Sequence, residues 1–466
     1  MSELRPYQQK ALDSIRANYS KGVKKVLLHL ATGAGKTHIF CQVLKGAHEK
    51  KKHAIMVVRG RKLVDQASKR LDKEGVPHGV FMANHKRWAP KLPIQICSID
   101  TLVSRGTKPK ADIIVIDEAH YATSPSYINF LSFYKDAYIL PVTATPYTEK
   151  SLRHIADIVI KPITEKELIE QGYLAKPRYF SRSVPNLKGV KTSNGKDGKD
   201  FVQADLSIVM EQSVLVGDIA THWLERAKGR PTVAFCVGVQ HSLKLTEYLV
   251  SRGIRAVHVD ASYTDEQRQT MIDKLENGEI DIISNCGILC TGVDIPKLSC
   301  IIQSRPTKSL NLHIQQIGRG TRKVDGKDDF IVLDHAGNVL RHGFLTDEHE
   351  ANLDEEQNEK KPTKRVTKTC KICYAVYDGS GECPECGNQE EEKTRIFKSI
   401  DGNLEEIRPE DLDPAKLRFE ELKKIQKERG HKRGWLFYKM RDEFGEDIAN
   451  KYIQRRFVPV WVSRRT

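Results

Sequence analysis

The apolar run Leu27-Leu28-His29-Leu30-Ala31 leads into Thr32-Gly33-Ala34-Gly35-Lys36-Thr37. Glycines placed between a strand-like run and a helix-like segment let successive backbone N–H groups point at one anion, and the helix N-terminus adds partial positive charge. Lys36 can reach the outer phosphates of a nucleotide, and the Thr37 hydroxyl can ligate Mg²⁺. Leu30 stands where the general phosphate-loop pattern has its first glycine, so a plain glycine-rich turn is the competing reading. About eighty residues on, Ile113-Ile114-Val115-Ile116 ends in Asp117-Glu118-Ala119-His120. At the carboxyl end of a strand, an Asp can hold the water shell of Mg²⁺ and the next Glu can polarise the water that attacks a γ-phosphate. Thr143-Ala144-Thr145-Pro146 closes another apolar strand; its hydroxyls could couple the nucleotide site to a second surface, although a strand-end turn looks the same.

Two further groups belong to this chemistry. Gln8, behind Leu4-Arg5-Pro6-Tyr7, can offer its amide to both edges of an adenine, and helix-start polarity explains it equally well. Arg319 and Arg322 follow Gln315-Gln316-Ile317-Gly318 and are three residues apart, hence on one helical face if the turn continues. A guanidinium fork is the best side-chain partner for a phosphoryl group whose charge is being redistributed, so this pair reads as arginine fingers.

The elements that must position these residues alternate in type. Ala54–Val58, Ile94–Ile99, Ile113–Ile116 and Tyr138–Val142 read as strands, and Leu63, Val64, Ala67 and Leu71 fall at helical spacing. A second half repeats the alternation, with strands at Thr232–Val237, Ala256–Val259, Asp281–Ser284, Cys300–Ser304 and Phe330–Leu333. Its helices are expected at His241–Ser251, Asp265–Asn277 and Leu310–Gly318. Such alternation means parallel sheets covered on both faces, an α/β fold. Ser183–Asp200, rich in Gly, Asn, Asp and Lys, should be an exposed loop.

At 466 residues the chain suggests two to four domains. A net charge of +15 points to a polyanionic partner, most often nucleic acid, a merely basic protein being the alternative. No apolar run approaches the ~20 residues of a membrane helix, and no secretory leader is read at Met1-Ser2-Glu3-Leu4-Arg5, so a cytoplasmic setting and no membrane partner are expected. Cys41, Cys97, Cys236, Cys286, Cys290 and Cys300 lie in apolar surroundings and read as reduced core thiols. Cys370-x-x-Cys373 and Cys383-x-x-Cys386 instead have the spacing of a structural four-thiolate zinc site, with a redox pair as the alternative. Beyond them, Leu417, Leu422 and Ile425 at helical spacing precede Gly434-Trp435-Leu436-Phe437-Tyr438 and a basic end. That end is either a nucleic-acid surface or a small helical core with a basic rim.

Taken together, these blocks resemble a superfamily 2 helicase with a DEAH-type box, over roughly residues 4–345. The resemblance implies two tandem RecA-like domains, with Gln8 as the adenine-sensing glutamine and Arg5, Thr32, Gly33, Ala34, Gly35, Lys36 and Thr37 around the nucleotide. It implies that Asp117, Glu118, His120, Thr143 and Thr145 form motifs II and III, and that Gln315, Gly318, Arg319 and Arg322 form motif VI. Gly292 and Asp294 of Thr291-Gly292-Val293-Asp294 would face the nucleotide, whereas Arg59, Gln66, Ser98, Thr101 and Thr291 would contact nucleic acid. The variants Thr-Ala-Thr-Pro and Gln-Gln-Ile-Gly-Arg, with Arg305-Pro306-Thr307-Lys308-Ser309 and Leu333-Asp334-His335-Ala336-Gly337-Asn338, are similar to the DNA-acting RadD-like branch and to phage-encoded helicases.

The expected organisation is therefore an ATP-binding domain at 1–161, a helicase C-terminal domain at 162–346 and a charged linker at 347–367. A zinc module at 368–390 and a basic helical unit at 391–466 complete it. The expected function is an ATP- and Mg²⁺-dependent DNA helicase or translocase acting on forks and junctions, a monomer working beside replication or recombination proteins. An RNA helicase, the motor subunit of a nuclease or restriction complex, and a non-catalytic DNA-binding platform are the alternatives.

Overall fold

A computed structural model describes residues 4–349 except 149, 182–186, 188, 196–197, 213–214 and 291, and then 351, 353, 367–369, 376–378, 405–407 and 413–453 except 432. The first half builds a seven-stranded sheet from β1 (Val26–His29), β2 (Ala54–Val58), β3 (Gly79–Phe81), β4 (Ile94–Ser98), β5 (Ile113–Asp117), β6 (Tyr138–Thr143) and β7 (Ile158–Ile160). Its order is β3-β4-β2-β5-β6-β1-β7, and every pairing is parallel. Strands buried on both faces read as unbroken apolar runs, which is why Val26–His29 and Ala54–Val58 show no polar alternation. The two faces still separate with period two: Ala54, Met56 and Val58 enter one core, Ile55 and Val57 the other.

The second half repeats the plan. A seven-stranded sheet is built from β8 (Lys176–Ser181), β11 (Thr232–Phe235), β12 (Ala256–Val259), β13 (Ile282–Asn285), β14 (Cys300–Gln303), β15 (Asp329–Asp334) and β18 (Glu405–Ile407), in the order β12-β13-β11-β14-β15-β8-β18. All of these pair in parallel except β18, which runs antiparallel to β8. Among the described residues two small antiparallel pairs complete the strands: β9 (Thr192–Gly195) with β10 (Gly198–Phe201), and β16 (Thr367–Thr369) with β17 (Val376–Asp378).

Two expectations need correction here. Ser183–Asp200 is not simply an exposed loop, because its later part forms the β9–β10 hairpin. The C-terminal region is not purely helical either: β18 returns to extend the second sheet before helices Pro414–Arg429, Arg433–Phe444 and Glu446–Tyr452 pack a small core of their own. Of the six scattered cysteines, five are buried in the cores and Cys286 is half-buried; all are free thiols. Among the described residues no helix is long and apolar enough to cross a membrane.

Candidate nucleotide site between the lobes

The sheet order brings the chemistry together. β6 lies between β1 and β5, with His29 opposite Thr143 and Asp117 opposite Val142, so the glycine-rich turn, Thr143 and Asp117 leave three adjacent strands at their carboxyl ends. Ligands of open α/β sheets collect at that edge. After β1 the chain turns through Gly33 at φ +82° and Gly35 at φ +81° before helix Lys36–Glu49 begins. A side chain on Gly35 would meet Gln8 Nε2 at 2.5 Å, and its left-handed φ is the conformation that favours glycine. Leu30, in place of the general pattern's first glycine, is fully buried in the core.

Lys36 Nζ donates to the Leu30 carbonyl at 3.3 Å. Burial pulls its ammonium below the usual lysine range, while the Glu118 and Asp117 carboxylates oppose that shift. Burial and the like charge of Glu118 push Asp117 up to about 7, against the opposing pull of Lys36. Burial would also raise Glu118, but His120, Lys36 and Arg319 outweigh it and hold that carboxyl below the ordinary range. Glu118 itself sits at φ +49°, a left-handed conformation rare for a residue with a side chain and concentrated at functional sites.

The facing wall comes from the second lobe. Helix Leu310–Gly318 is buried from Asn311 to its end, polar residues included. Asn311 and Gln315, one turn apart, both reach the first lobe: Asn311 Oδ1 accepts from the Tyr147 backbone at 3.2 Å, and Gln315 Nε2 donates to Thr145 Oγ1 at 3.2 Å. Gln315 Nε2 also donates to His120 Nε2 at 3.1 Å. A neutral imidazole that accepts at Nε2 carries its proton on Nδ1, which lies 3.1 Å from Thr143 Oγ1 and 3.5 Å from Glu118 Oε2. One glutamine of the second lobe thereby fixes the tautomer of a histidine beside Glu118 of the first.

Below this contact the backbones nearly touch. A side chain on Gly318 would meet Thr32 Cβ at 2.9 Å, and Thr321 Oγ1 donates to the Thr32 carbonyl at 3.1 Å. The helix stops at Gly318, so Arg319 and Arg322 do not share a helical face as expected. They nevertheless line one cleft of about 710 Å³ together with Gly33, Lys36, Thr37, Asp117 and Glu118. Arg319 Nη1 donates to the Val293 carbonyl at 2.7 Å, and Arg322 pairs with Asp294. Thr37 and the adjacent carboxylates Asp117 and Glu118 face the same cleft, an oxygen-rich donor set suited to Mg²⁺.

Matches to known families follow the same division. Residues 1–148 match the family described as "Type III restriction enzyme, res subunit", and residues 215–324 match "Helicase conserved C-terminal domain". The chain belongs to helicase superfamily 2. A Saccharomyces cerevisiae relative described as the ATP-dependent helicase IRC3 is 28% identical over 358 residues, covering 72% of this chain and 51% of that protein. The chain thus spans about half the length of this curated relative. The 51.5 kDa protein of a Lactococcus phage is 26% identical over 381 residues, covering 79% and 80%. Among solved structures, a fragment described as the HsdR subunit of a type I restriction enzyme from Vibrio vulnificus shares the fold, with TM-score 0.59, 19% identity, and coverage of 76% and 67%.

In this superfamily 2 helicase the remaining predicted residues divide. Gln8 is buried, its Oε1 accepting from the Arg5 backbone at 3.0 Å and its Nε2 donating to the Ala34 carbonyl at 3.2 Å. It therefore caps its own helix and ties it to the phosphate loop. Arg5 stacks over Tyr173 at 4.8 Å and lines the cleft, and Gly292 and Asp294 line it from the second lobe.

The predicted nucleic-acid contacts fare differently. Arg59 is exposed, its guanidinium 5.7 Å from the Tyr121 ring centroid. Gln66 instead lines the nucleotide cleft and donates to the Gly292 carbonyl at 3.3 Å. Ser98 and Thr101 are buried, and Thr101 Oγ1 accepts from the Ala83 backbone at 3.2 Å. These side chains are turned inward because β4 ends in a short helix, Ile99–Ser104, that packs on the core. Thr291, Cys370, Cys373, Cys383 and Cys386 lie outside the described residues. Among the described residues no group of three or more His, Cys, Asp and Glu side chains is placed to hold a metal ion. Sequence reading missed Tyr7, Tyr173 and Thr321; Tyr7 donates to the Ala34 carbonyl at 2.9 Å, and no spacing signals such a contact.

Proposed function

We propose that the chain is an ATP-driven DNA translocase. The observation that carries this reading is the interlobe cleft, with Lys36, Asp117 and Glu118 on one wall and Arg319 and Arg322 on the other. In it, Lys36 and the backbone N–H groups of the glycine turn would hold the β- and γ-phosphates. Mg²⁺, seated by Thr37 and Asp117, would offset phosphate charge. Glu118, kept anionic and aimed by His120, orients the attacking water, and Arg319 and Arg322 stabilise charge developing on the transferred phosphoryl group. Because Gln315 spans to His120 and Thr145, loss of the γ-phosphate would be felt at the lobe contact, and the lobes would step along the strand.

Branched DNA is the proposed substrate, with contacts mainly to phosphates and little sequence preference. A zinc module is proposed at Cys370, Cys373, Cys383 and Cys386, on the spacing of the two cysteine pairs in the sequence. A second reading, the motor of a restriction-type complex, is favoured by the family match over residues 1–148 and by the HsdR-like fold. The test is ATP turnover with single-stranded, duplex, forked and four-way DNA, and with RNA alongside. Stimulation by DNA that Lys36→Ala abolishes is the expected result; no stimulation by any nucleic acid would refute the motor, and stimulation by RNA alone would refute DNA as its track.

A further inference from the structure

Outside the nucleotide cleft, the second lobe gathers cations at the carboxyl edge of its sheet. Arg305 follows β14, Arg341 follows β15, and Lys308 lies just before helix Leu310–Gly318. None of the three has a role in the nucleotide site. Asp200, at the end of the β9–β10 hairpin, reaches into this group. Its Oδ2 accepts from Arg305 Nη2 at 3.1 Å, and its Oδ1 accepts from the Lys308 backbone N–H at 2.8 Å. The same Oδ1 also accepts from the Phe201 N–H at 2.9 Å.

A guanidinium N–H and a backbone N–H converging on two oxygens of one anion is the donor set that nucleic-acid phosphates take. Positive charge is in excess: Arg305, Lys308 and Arg341 stand against two carboxylates, Asp200 among them and the buried Asp334 beside Arg341. Lys308 Nζ and the Arg341 guanidinium lie 5.1 and 5.7 Å from the centroid of Phe201, whose buried ring supports both. Arg341 Nη1 is otherwise spent on neutral oxygens, the Thr307 carbonyl at 3.2 Å and Asn338 Oδ1 at 3.0 Å. The nearby Asp334 is buried and accepts from the Ala336 and Val339 backbones.

The carrier of Asp200 is suited to yielding. A two-stranded ribbon is marginal by itself, and Thr192-Ser193-Asn194-Gly195 offers the core nothing apolar. Phe201 stays anchored against Leu206, Met210 and Val237, so the carboxylate can swing out without the hairpin leaving. We propose that Arg305, Lys308 and Arg341 form a seat for a nucleic-acid backbone phosphate, and that Asp200 fills it until nucleic acid displaces it. This rests on the motor reading above and adds a site to it.

The test is binding of labelled single-stranded DNA to the full chain across a salt series, by fluorescence anisotropy. Asp200→Asn should tighten binding about three- to tenfold, since an internal competitor is removed. Arg305→Ala should weaken binding and lower the slope of log affinity against log salt by about one. Lys308→Ala keeps the backbone N–H that holds Asp200, so a similar slope change there cannot come from a loosened hairpin. An Asp200→Asn protein that melts like the parent and binds no tighter would overturn the seat, as would an unchanged slope in Lys308→Ala. If the parent chain binds no nucleic acid at all, the motor reading fails instead.

Discussion

At the scale of single residues, the cleft joins groups that are far apart in sequence but whose types announced their chemistry. Lys36, Asp117, Glu118, Arg319 and Arg322 were legible because phosphate chemistry needs those side chains after a glycine turn, at a strand end and behind a helix. What stayed hidden is how they are held. Gln8 was readable as a polar residue near a phosphate loop, but its double use, on Arg5 and Ala34, depends on a fold that brings Pro6–Ser20 against Gly35. Removing an arginine finger costs ~10³-fold or more in related phosphoryl transfer, so Lys36→Ala, Glu118→Gln and Arg322→Ala should each lose at least that much stimulated turnover while keeping the parent's melting temperature. Gln315→Leu makes a finer demand. It removes the donor to His120 Nε2 and frees the imidazole to take the other tautomer. With Glu118 no longer aimed, DNA-stimulated kcat should fall about 10²-fold, as a misplacement of about 1 Å can cause. A Gln315→Leu enzyme with parental turnover would show that the cross-lobe bond is incidental.

At the scale of elements, the long apolar strands and amphipathic helices were plain in the sequence because burial on both faces leaves a continuous signal. Ala54–Val58 and Ala256–Val259 coincide with their predicted limits. The elements that escaped are short or decided at long range. β3 and β7 have three residues each, too few to show a period. β18 carries Glu405-Glu406-Ile407 and becomes a strand only because β8 offers an open edge. The turn after helix Leu310–Gly318 is set by packing too. A side chain on Gly320 would run into the Phe330 ring, where neither atom can yield cheaply. Gly320→Ala should therefore cost roughly 1–3 kcal/mol, as overpacking does, and disturb Arg319 and Arg322 with it. Gly46 lies inside helix Lys36–Glu49 with nothing within 4 Å of an added side chain, so Gly46→Ala should stabilise by about 0.5–1 kcal/mol. Urea unfolding of both variants tests the pair, and equal signs would contradict it.

At the scale of the whole molecule, a histidine buried in each lobe shapes the response to acid. Burial pushes His29 and His313 down to about 3. Unfolding releases each to its ordinary value near 6.5, so below that pH the unfolded chain takes up protons that the native fold refuses. Stability should fall as pH drops below about 6.5 and level off, for these two groups, near their folded value of about 3. Denaturation midpoints that stay flat from pH 7 to pH 5 would contradict it.

The same scale decides how a preference for branched DNA can be tested. A motor gains junction affinity if a second unit holds one arm while the lobes hold another. The second contact is then effectively intramolecular and needs no base readout. Cutting the chain after residue 367 looks like the direct test, but it would also strip β18 from the second sheet and expose β8. Two gentler variants separate the effects. Ending the chain before Asp413 leaves β18 in place and removes helices Pro414–Arg429, Arg433–Phe444 and Glu446–Tyr452, whose core is their own, with the basic residues that follow them. Cys383→Ser removes one thiolate of the proposed zinc site, and metal analysis should then find less than the one zinc per chain expected of the parent. Each variant should lose several-fold more affinity for a four-way junction than turnover on single-stranded DNA, and steeply rising salt should erase the difference. Equal losses on both substrates would mean that the accessory units serve the motor as a whole, and the preference for branched DNA would have to be abandoned.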